Sequence, residues 1–206
     1  MQRASGILMP ISSLPGRYGI GSLGKEAYDF ADFLCGSGQK YWQILPLGPT
    51  SEGNSPYQCF SGCAGNPFFI DIDGLVNEGL LLKEEAEETQ KDPDTEADYD
   101  FLYKTRFKIL KKASDRAYES QKDKISVFAD TNPWVKGYAK FMALKTANSL
   151  ESMEKWSIRD YDASMDDNRD FFIFIQYKFY EQWQSLKSYV NSKGIKIIGH
   201  TYLCPI

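Results

Sequence analysis

Short apolar runs alternate with a helical pattern at the start of the chain. The first run, GILMPI from Gly6 to Ile11, is interrupted by a proline and followed by turn residues, which is typical of a strand that ends in a loop. From Lys25 to Leu34 the apolar positions keep the spacing of a helix, which two glycines then end. A second apolar run, YWQILPLG, covers Tyr41 to Gly48. The pattern predicts a strand, helix, strand unit with a right-handed crossover, as in parallel sheets.

The rest of the chain is mainly helical in pattern. After a short apolar stretch from Phe68 to Ile72, helices with charged faces are predicted over residues 80–92, 99–119 and 134–148. A long aromatic helix is predicted from Phe171 to Ser192, and GIKIIG at residues 194–199 predicts a third parallel strand. The order of elements indicates an α/β fold with a mainly helical insertion.

Composition and charge exclude several classes of protein. Among 206 residues, 42% are apolar and 25% charged, as in ordinary globular domains. The net charge of -4 and the lack of a dense block of Lys and Arg argue against a nucleic-acid partner. No apolar stretch is long enough to cross a bilayer, and the start lacks the pattern of a secretory signal. We expect a cytoplasmic protein with no membrane partner.

Candidate catalytic and metal-binding groups are few. Cys59 and Cys63 have neither a second cysteine pair nor a nearby histidine to complete a zinc site, and the four cysteines are too irregular for a disulfide framework. His200 is the only imidazole and lies in the last seven residues. Asp71 and Asp73 suggest a carboxylate pair, but capping or solvent-facing roles explain them more simply. We therefore predict no metal site and no catalytic residue in this chain.

The loop after the second predicted strand offers groups that suit a sugar. Its sequence, PTSEGNSPYQCFSGCAGNP, has no helical or alternating period, and long ordered loops in compact domains usually serve function. Tyr57 could stack on a pyranose ring, and Ser55, Gln58, Asn54 and Asn66 could bind hydroxyl groups. On composition alone, the favoured interpretation is a turn-rich loop whose aromatic side chains only hold it in place.

Four sequence blocks favour a binding role for this loop instead. They are SGILMPISSLPGRYGIGSLG, YWQILPLGPTSEGNSPYQCFSGCAGNPFFID, YAKFMALK and FFIFIQYKFYEQWQSLKSYVNSKGIKIIG. Together they resemble successive blocks of the amylomaltase family, the 4-α-glucanotransferases of glycoside hydrolase family 77. The resemblance runs from about residue 5 to residue 199 and is weak only between about residues 80 and 131. It implies a partial (β/α)8 TIM barrel, made of the first barrel strands, with a mainly helical insertion.

The resemblance also implies an activity. Family members transfer α-1,4-glucan segments between malto-oligosaccharides by a retaining, two-step mechanism that needs no cofactor. The tyrosine of the family's SPYQ block, here Tyr57, lines the donor side of the cleft. The substrate-binding residues that we predict are Tyr57, Ser55, Gln58 and Asn66. Glu52 replaces an aromatic residue that the family commonly has, and this puts a second, remote glucan contact in doubt.

The resemblance predicts four segments in the chain. They are residues 1–74 with the first barrel strands, helix and active-site loop, 75–166 as a helical insertion, 167–199 as a barrel helix and third strand, and 200–206 as a tail. The family's nucleophile, acid/base and third carboxylate lie farther along than residue 206. We therefore expect this chain alone to be inactive. A non-catalytic remnant that binds maltodextrins is the alternative.

The tail has an unusual sequence for this family. After GIKIIG the family reads Asp-Ile-Pro-Ile-Tyr-Val, whereas this chain reads HTYLCPI. One set of codons for that tail, with two bases restored in front, translates as Asp-Ile-Pro-Ile-Tyr-Val-Pro. We therefore expect that a frameshift after Gly199 rewrote residues 200–206, and that His200 has no role. The bases of the gene in this region test the hypothesis directly.

Overall fold

Three short parallel strands form the sheet of this protein. The computed structural model describes residues 3–50, 53–91 and 96–199. The strands β1 (Gly6–Leu8), β2 (Tyr41–Gln43) and β3 (Lys196–Ile198) lie in the order β1-β2-β3. In register, Trp42 lies between Ile7 and Ile197. The predicted parallel strands are confirmed, although each is shorter than the apolar run that predicted it.

Seven α-helices occur within these described ranges. Helix α1 (Lys25–Gly36) connects β1 to β2, as predicted. The others lie between β2 and β3 and are α2 (Ile72–Asn77), α3 (Lys83–Glu87), α4 (Tyr99–Ser120), α5 (Lys122–Thr131), α6 (Trp134–Ala147) and α7 (Asp166–Ser192). The mixed α/β class with mostly helical content is therefore confirmed. The sequence pattern did not predict α5, and the short apolar stretch from Phe68 to Ile72 forms a 3-10 turn and the start of α2.

One predicted segment boundary falls within α2 and the other close to the start of α7. Helix α2 spans residues 74 and 75, and α7 begins at Asp166, one residue before the predicted boundary. The division into residues 1–74, 75–166 and 167–199 stays a prediction. Glu52 and residues 200–206, including His200, lie outside the described ranges. Across those ranges no helix is long and apolar enough to span a membrane.

Helix α7 is the centre of the core. Every residue from Phe171 to Phe179 is buried, because α1, α4, α5 and α6 all pack against this helix. The end of the loop after β2 also contacts it: a Cβ atom on Gly65 would lie 2.0 Å from the Phe179 ring. Only glycine therefore allows the backbone to approach α7 this closely.

Two buried cations connect segments that are distant in sequence. Arg106 on α4 is 2% exposed and donates to the carbonyl oxygens of Ile70 at 2.9 Å and Tyr18 at 3.1 Å. Burial lowers the pKa of Arg106 to about 10, so its guanidinium stays charged at neutral pH. On α7, Lys178 is fully buried, and its ammonium contacts the carboxylates of Glu78 and Glu181. These contacts fix the segment around α2 to both long helices.

Candidate functional site

The site loop, defined as residues 48–50 and 53–66, follows β2 at the carboxyl end of the sheet. Backbone hydrogen bonds hold its base: Ile44 N donates to the Ile198 carbonyl at 2.9 Å, and Asn66 N donates to the Leu47 carbonyl at 2.8 Å. Farther out, Thr50 and Cys59 form an antiparallel bridge. These backbone bonds order the loop, in agreement with the long ordered loop that the sequence predicts.

A tight turn presents Tyr57 on the outside of the site loop. The Ser55 carbonyl accepts from Gln58 N at 3.2 Å, and the Ser55 hydroxyl oxygen accepts from Tyr57 N at 3.3 Å. Just before this turn, Asn54 adopts a positive φ of 54° and accepts a 3.3 Å hydrogen bond from the Tyr103 hydroxyl of α4. The side chain of Tyr57 is 52% exposed. Three of the predicted binding residues thus share one exposed turn.

Asn66, the fourth predicted binding residue, lies in the base of the loop. It is 2% exposed, and its side-chain oxygen accepts from Phe68 N at 3.0 Å. This bond caps the 3-10 turn Pro67–Phe69, for which proline at the first position is well suited. The structure therefore separates Asn66 from the turn that carries Tyr57 and gives it a capping contact.

Side-chain amides of α7 hold the segment that follows the loop. Gln176 accepts from Gly65 N at 2.7 Å and donates to the Gly65 carbonyl at 3.0 Å. Six residues later on α7, Gln182 makes the same pair of bonds with Asp71, at 2.8 and 3.2 Å. Tyr180, between them, donates to the Cys63 carbonyl at 2.5 Å. The sequence pattern did not predict these positioning residues, although a glutamine within an apolar stretch of a helix, as in FFIFIQY, is a usable signal.

The two aspartates of the sequence motif FFIDID have structural partners. Asp71 caps α2, and its carboxylate accepts from Gly74 N at 2.9 Å. Burial and the neighbouring charge of Asp73 raise the pKa of Asp71 to about 6, against the opposing effect of that backbone bond. Asp73 is half exposed and contacts the Tyr18 hydroxyl and Arg17. The expected capping and solvent-facing roles are confirmed.

A mostly apolar cleft of about 450 Å³ borders the site loop. Its walls come from the site loop, from α4, α6 and α7, and from residues 150–152. It contacts the site loop through Thr50, Phe60 and Asn66 but does not include the turn with Tyr57. Within residues 3–50, 53–91 and 96–199, no three His, Cys, Asp or Glu side chains come together to hold a metal ion.

The family assignment rests on a match that covers nearly the whole chain. A family model described as 4-alpha-glucanotransferase, of glycoside hydrolase family 77, matches residues 9–202. The chain belongs to this family. Among curated members, the 4-alpha-glucanotransferase of Clostridium butyricum is 43% identical over 203 residues, and that of Thermus thermophilus is 37% identical over 214 residues.

The solved structure of a 4-alpha-glucanotransferase relative agrees with this assignment. The amylomaltase from Streptococcus agalactiae in complex with acarbose is 40% identical and superimposes with a TM-score of 0.92 over 96% of this chain. The chain covers 43% of that protein and 42% of each of the two curated relatives. It therefore spans less than half the length of the 4-alpha-glucanotransferases that it matches.

Proposed function

We propose that this chain is the N-terminal part of a 4-α-glucanotransferase and that its site loop binds α-1,4-glucans. The observation that carries the proposal is the exposed ring of Tyr57, held by an ordered turn at the carboxyl end of a parallel sheet in a chain of this family. Carboxyl ends of parallel strands are where α/β enzymes bind their substrates. The solved relative, which binds acarbose, supports a maltodextrin ligand.

The four predicted residues take different parts in this proposal. The Tyr57 ring stacks on the apolar face of a glucose unit, while Ser55 and Gln58 bind its hydroxyl groups. Asn66 acts by positioning, since its side-chain oxygen already caps the 3-10 turn at the base of the loop. The three parallel strands are the first strands of a (β/α)8 barrel, which their order β1-β2-β3 supports.

The chemistry proposed for the whole enzyme is retaining glucosyl transfer. A carboxylate attacks the anomeric carbon, and the leaving chain takes a proton from a second carboxyl group. The resulting second carboxylate then takes the proton of a sugar hydroxyl, whose oxygen displaces the enzyme carboxylate from the anomeric carbon. No catalytic residue is assigned among residues 1–206, so we expect this chain alone to bind glucan without transferring it. Cytoplasmic location stays a prediction.

Affinity electrophoresis in amylose tests the binding role. We expect amylose to retard the wild-type chain, and Tyr57→Ala to weaken that retardation about fivefold to tenfold because a stacking ring is lost. Phe33→Ala is the matched control, since this α1 ring is 57% exposed and lies on another element. Equal retardation of Tyr57→Ala and the wild type would refute the proposal.

Incubation with maltotriose tests the expected lack of turnover. We expect the sugar to stay unchanged with the purified 206-residue chain, even when amylose retards that chain in the gel. Retardation without turnover supports a binding part of a larger enzyme. The appearance of glucose together with longer maltodextrins would show that residues 1–206 do contain the catalytic groups.

A further inference from the structure

The site loop and helix α6 form the two walls of a groove of about 310 Å³. The loop wall consists of Phe60, Ser61, Gly62 and Cys63, and the helix wall of Trp134, Gly137, Tyr138 and Phe141. Neither Tyr57 nor its turn lines this groove, although Phe60 follows Tyr57 by only three positions. Three residues of chain span at most about 11 Å, so the groove begins close to the proposed glucan turn.

A glycine opens the helix wall of the groove. Positions three and four apart lie on the same face of a helix, so Gly137 of α6 lies between Trp134 and Phe141. Among the described residues, a Cβ atom on Gly137 would meet no atom within 4 Å beyond its chain neighbours and its own helix backbone. Glycine is less favourable than alanine inside a helix, and here no close packing requires it. The missing side chain leaves Trp134 and Phe141 only partly covered.

The loop wall is fixed in place by hydrogen bonds and by ring packing. The Ser61 hydroxyl oxygen accepts from Cys63 N at 3.4 Å, and the Tyr180 hydroxyl of α7 donates to the Cys63 carbonyl at 2.5 Å. The Phe60 ring stacks on the Tyr138 ring, with 6.5 Å between centroids and 8° between planes. The two walls are therefore held together before any ligand binds.

The lining of the groove is aromatic, uncharged and open to water. Among the residues that the structure describes, no charged side chain lines it, so an ionic partner would find no opposite charge there. Phe60 is 36% exposed, and Gly62, Cys63 and Gly137 are also exposed, so a ligand in the groove keeps one side in water. A sugar suits this arrangement, because its C–H face can stack on a ring while its hydroxyl groups stay hydrated. A wholly apolar ligand would leave much of its surface in water.

We propose that this groove is a second contact for the same α-1,4-glucan, in which the rings of Trp134 and Phe60 stack on glucose units beyond the one at Tyr57. This inference rests on the proposed function, because the glucan that extends into the groove is the one that the Tyr57 turn binds. Two linked contacts bind a polymer more tightly than either contact alone. The groove therefore makes the chain prefer long glucans to short ones.

Gly137→Leu tests the groove by filling it. Leucine is a stronger helix former than glycine, and its side chain would cover Trp134 and Phe141, so the fold should be kept. In affinity electrophoresis we expect the apparent dissociation constant for amylose to rise about fivefold. Gly137→Ala adds a single methyl group and should stay within about twofold of the wild type. Gly36→Leu is the matched control, since this last residue of α1 also has open space around its Cβ position.

The length of the glucan gives a second measurement. In calorimetric titrations of the 206-residue chain, Gly137→Leu should weaken maltoheptaose binding about fivefold and leave maltotriose binding within about twofold. The physical reason is that the short sugar is held by the Tyr57 turn alone. Thermal unfolding of each variant shows that it is folded.

Three results would overturn this proposal. They are unchanged amylose and maltoheptaose binding in a folded Gly137→Leu variant, equal weakening by Gly137→Leu and Gly36→Leu, and equal weakening of maltotriose and maltoheptaose by Gly137→Leu. If Tyr57→Ala weakens amylose retardation and Gly137→Leu does not, the groove contact fails while the proposed function stands. If neither variant changes the retardation, both fail.

Discussion

Asp71 is a single residue whose two contributions to the fold have opposite signs. Its carboxylate caps α2 by accepting from Gly74 N, which stabilises the helix start. Its burial raises its pKa to about 6, so the folded state binds a proton more readily than the unfolded chain. The free energy of unfolding therefore falls as the pH rises from about 4 through 6, and the penalty is fully present at neutral pH.

Asp71→Asn should separate the cap from the charge. The amide oxygen can still accept from Gly74 N, while the buried charge is gone, so we expect the free energy of unfolding to rise by about 1–3 kcal/mol at pH 7.5. The gain should shrink toward zero near pH 4. Urea unfolding at both pH values measures it, with Asp160→Asn as an exposed control. A loss of stability at pH 7.5 would show that the charged cap outweighs its burial.

Among the secondary-structure elements, α7 decides where the site loop ends. Gln176 and Gln182 each bind both backbone groups of one residue, Gly65 and Asp71, so the segment between loop and α2 is held at two points. Side-chain amides of α7 therefore make the backbone hydrogen bonds that a neighbouring strand would make in a sheet. The base of the site loop is therefore rigid even though its tip is exposed.

Gln176→Ala should remove the two hydrogen bonds that hold Gly65 against α7. It leaves the buried N–H and carbonyl of Gly65 without partners, which we expect to lower the free energy of unfolding by about 2–4 kcal/mol. Gln184→Ala is the matched control on the same helix, because Gln184 is exposed. Thermal and urea unfolding measure both. Equal, small losses for the two variants would mean that solvent replaces the lost bonds.

The sequence predicted which helices and strands form better than it predicted where they end or what they pack against. The helical spacing from Lys25 to Leu34 was sufficient to predict α1, because one face of this helix is buried and the other is exposed. The stretch from Phe68 to Ile72 shows no regular alternation of apolar and polar positions. Packing against α4 and α7 decides its conformation. Helix α5 went unpredicted, although Ile125, Phe128 and Ala129 have helical spacing.

Only the part of the candidate site whose residues are neighbours in sequence was predictable. Ser55, Tyr57 and Gln58 are neighbours in sequence, so their common turn follows from turn chemistry. Gln176 lies 111 residues from Gly65, and no pattern in a single sequence pairs them. The capping role of Asn66 was also not predicted, because the same amide suits a sugar hydroxyl and a backbone N–H equally well.

For the molecule as a whole, the two outer strands of the sheet, β1 and β3, bear on association. Among the residues that the structure describes, no strand pairs with the outer side of β1 or β3. Leu8 and Ile198 at these edges are 52% and 43% exposed. Exposed apolar edge strands favour pairing with other chains. We therefore expect the isolated chain to self-associate.

Ile198→Lys should reduce that self-association. A charge on the edge strand opposes pairing with a second chain, while the backbone bond from Ile44 N to the residue 198 carbonyl is kept. We expect light scattering of the concentrated chain to fall severalfold. Val127→Lys adds the same charge at a 62% exposed position of α5 and controls for net charge alone. Equal improvement by both variants would exclude the edge as the cause.

The register of the sheet also dictates the order in which it can form during synthesis. Tyr41 of β2 pairs with Lys196 of β3, which the ribosome adds 155 positions later. At about 5–20 residues per second, β2 waits roughly 8–30 s for its second neighbour. During that interval the edge of β2 that will pair with β3 has no strand partner. The central strand of the sheet is therefore an edge strand for most of the synthesis of this chain, and it is then open to pairing with other chains.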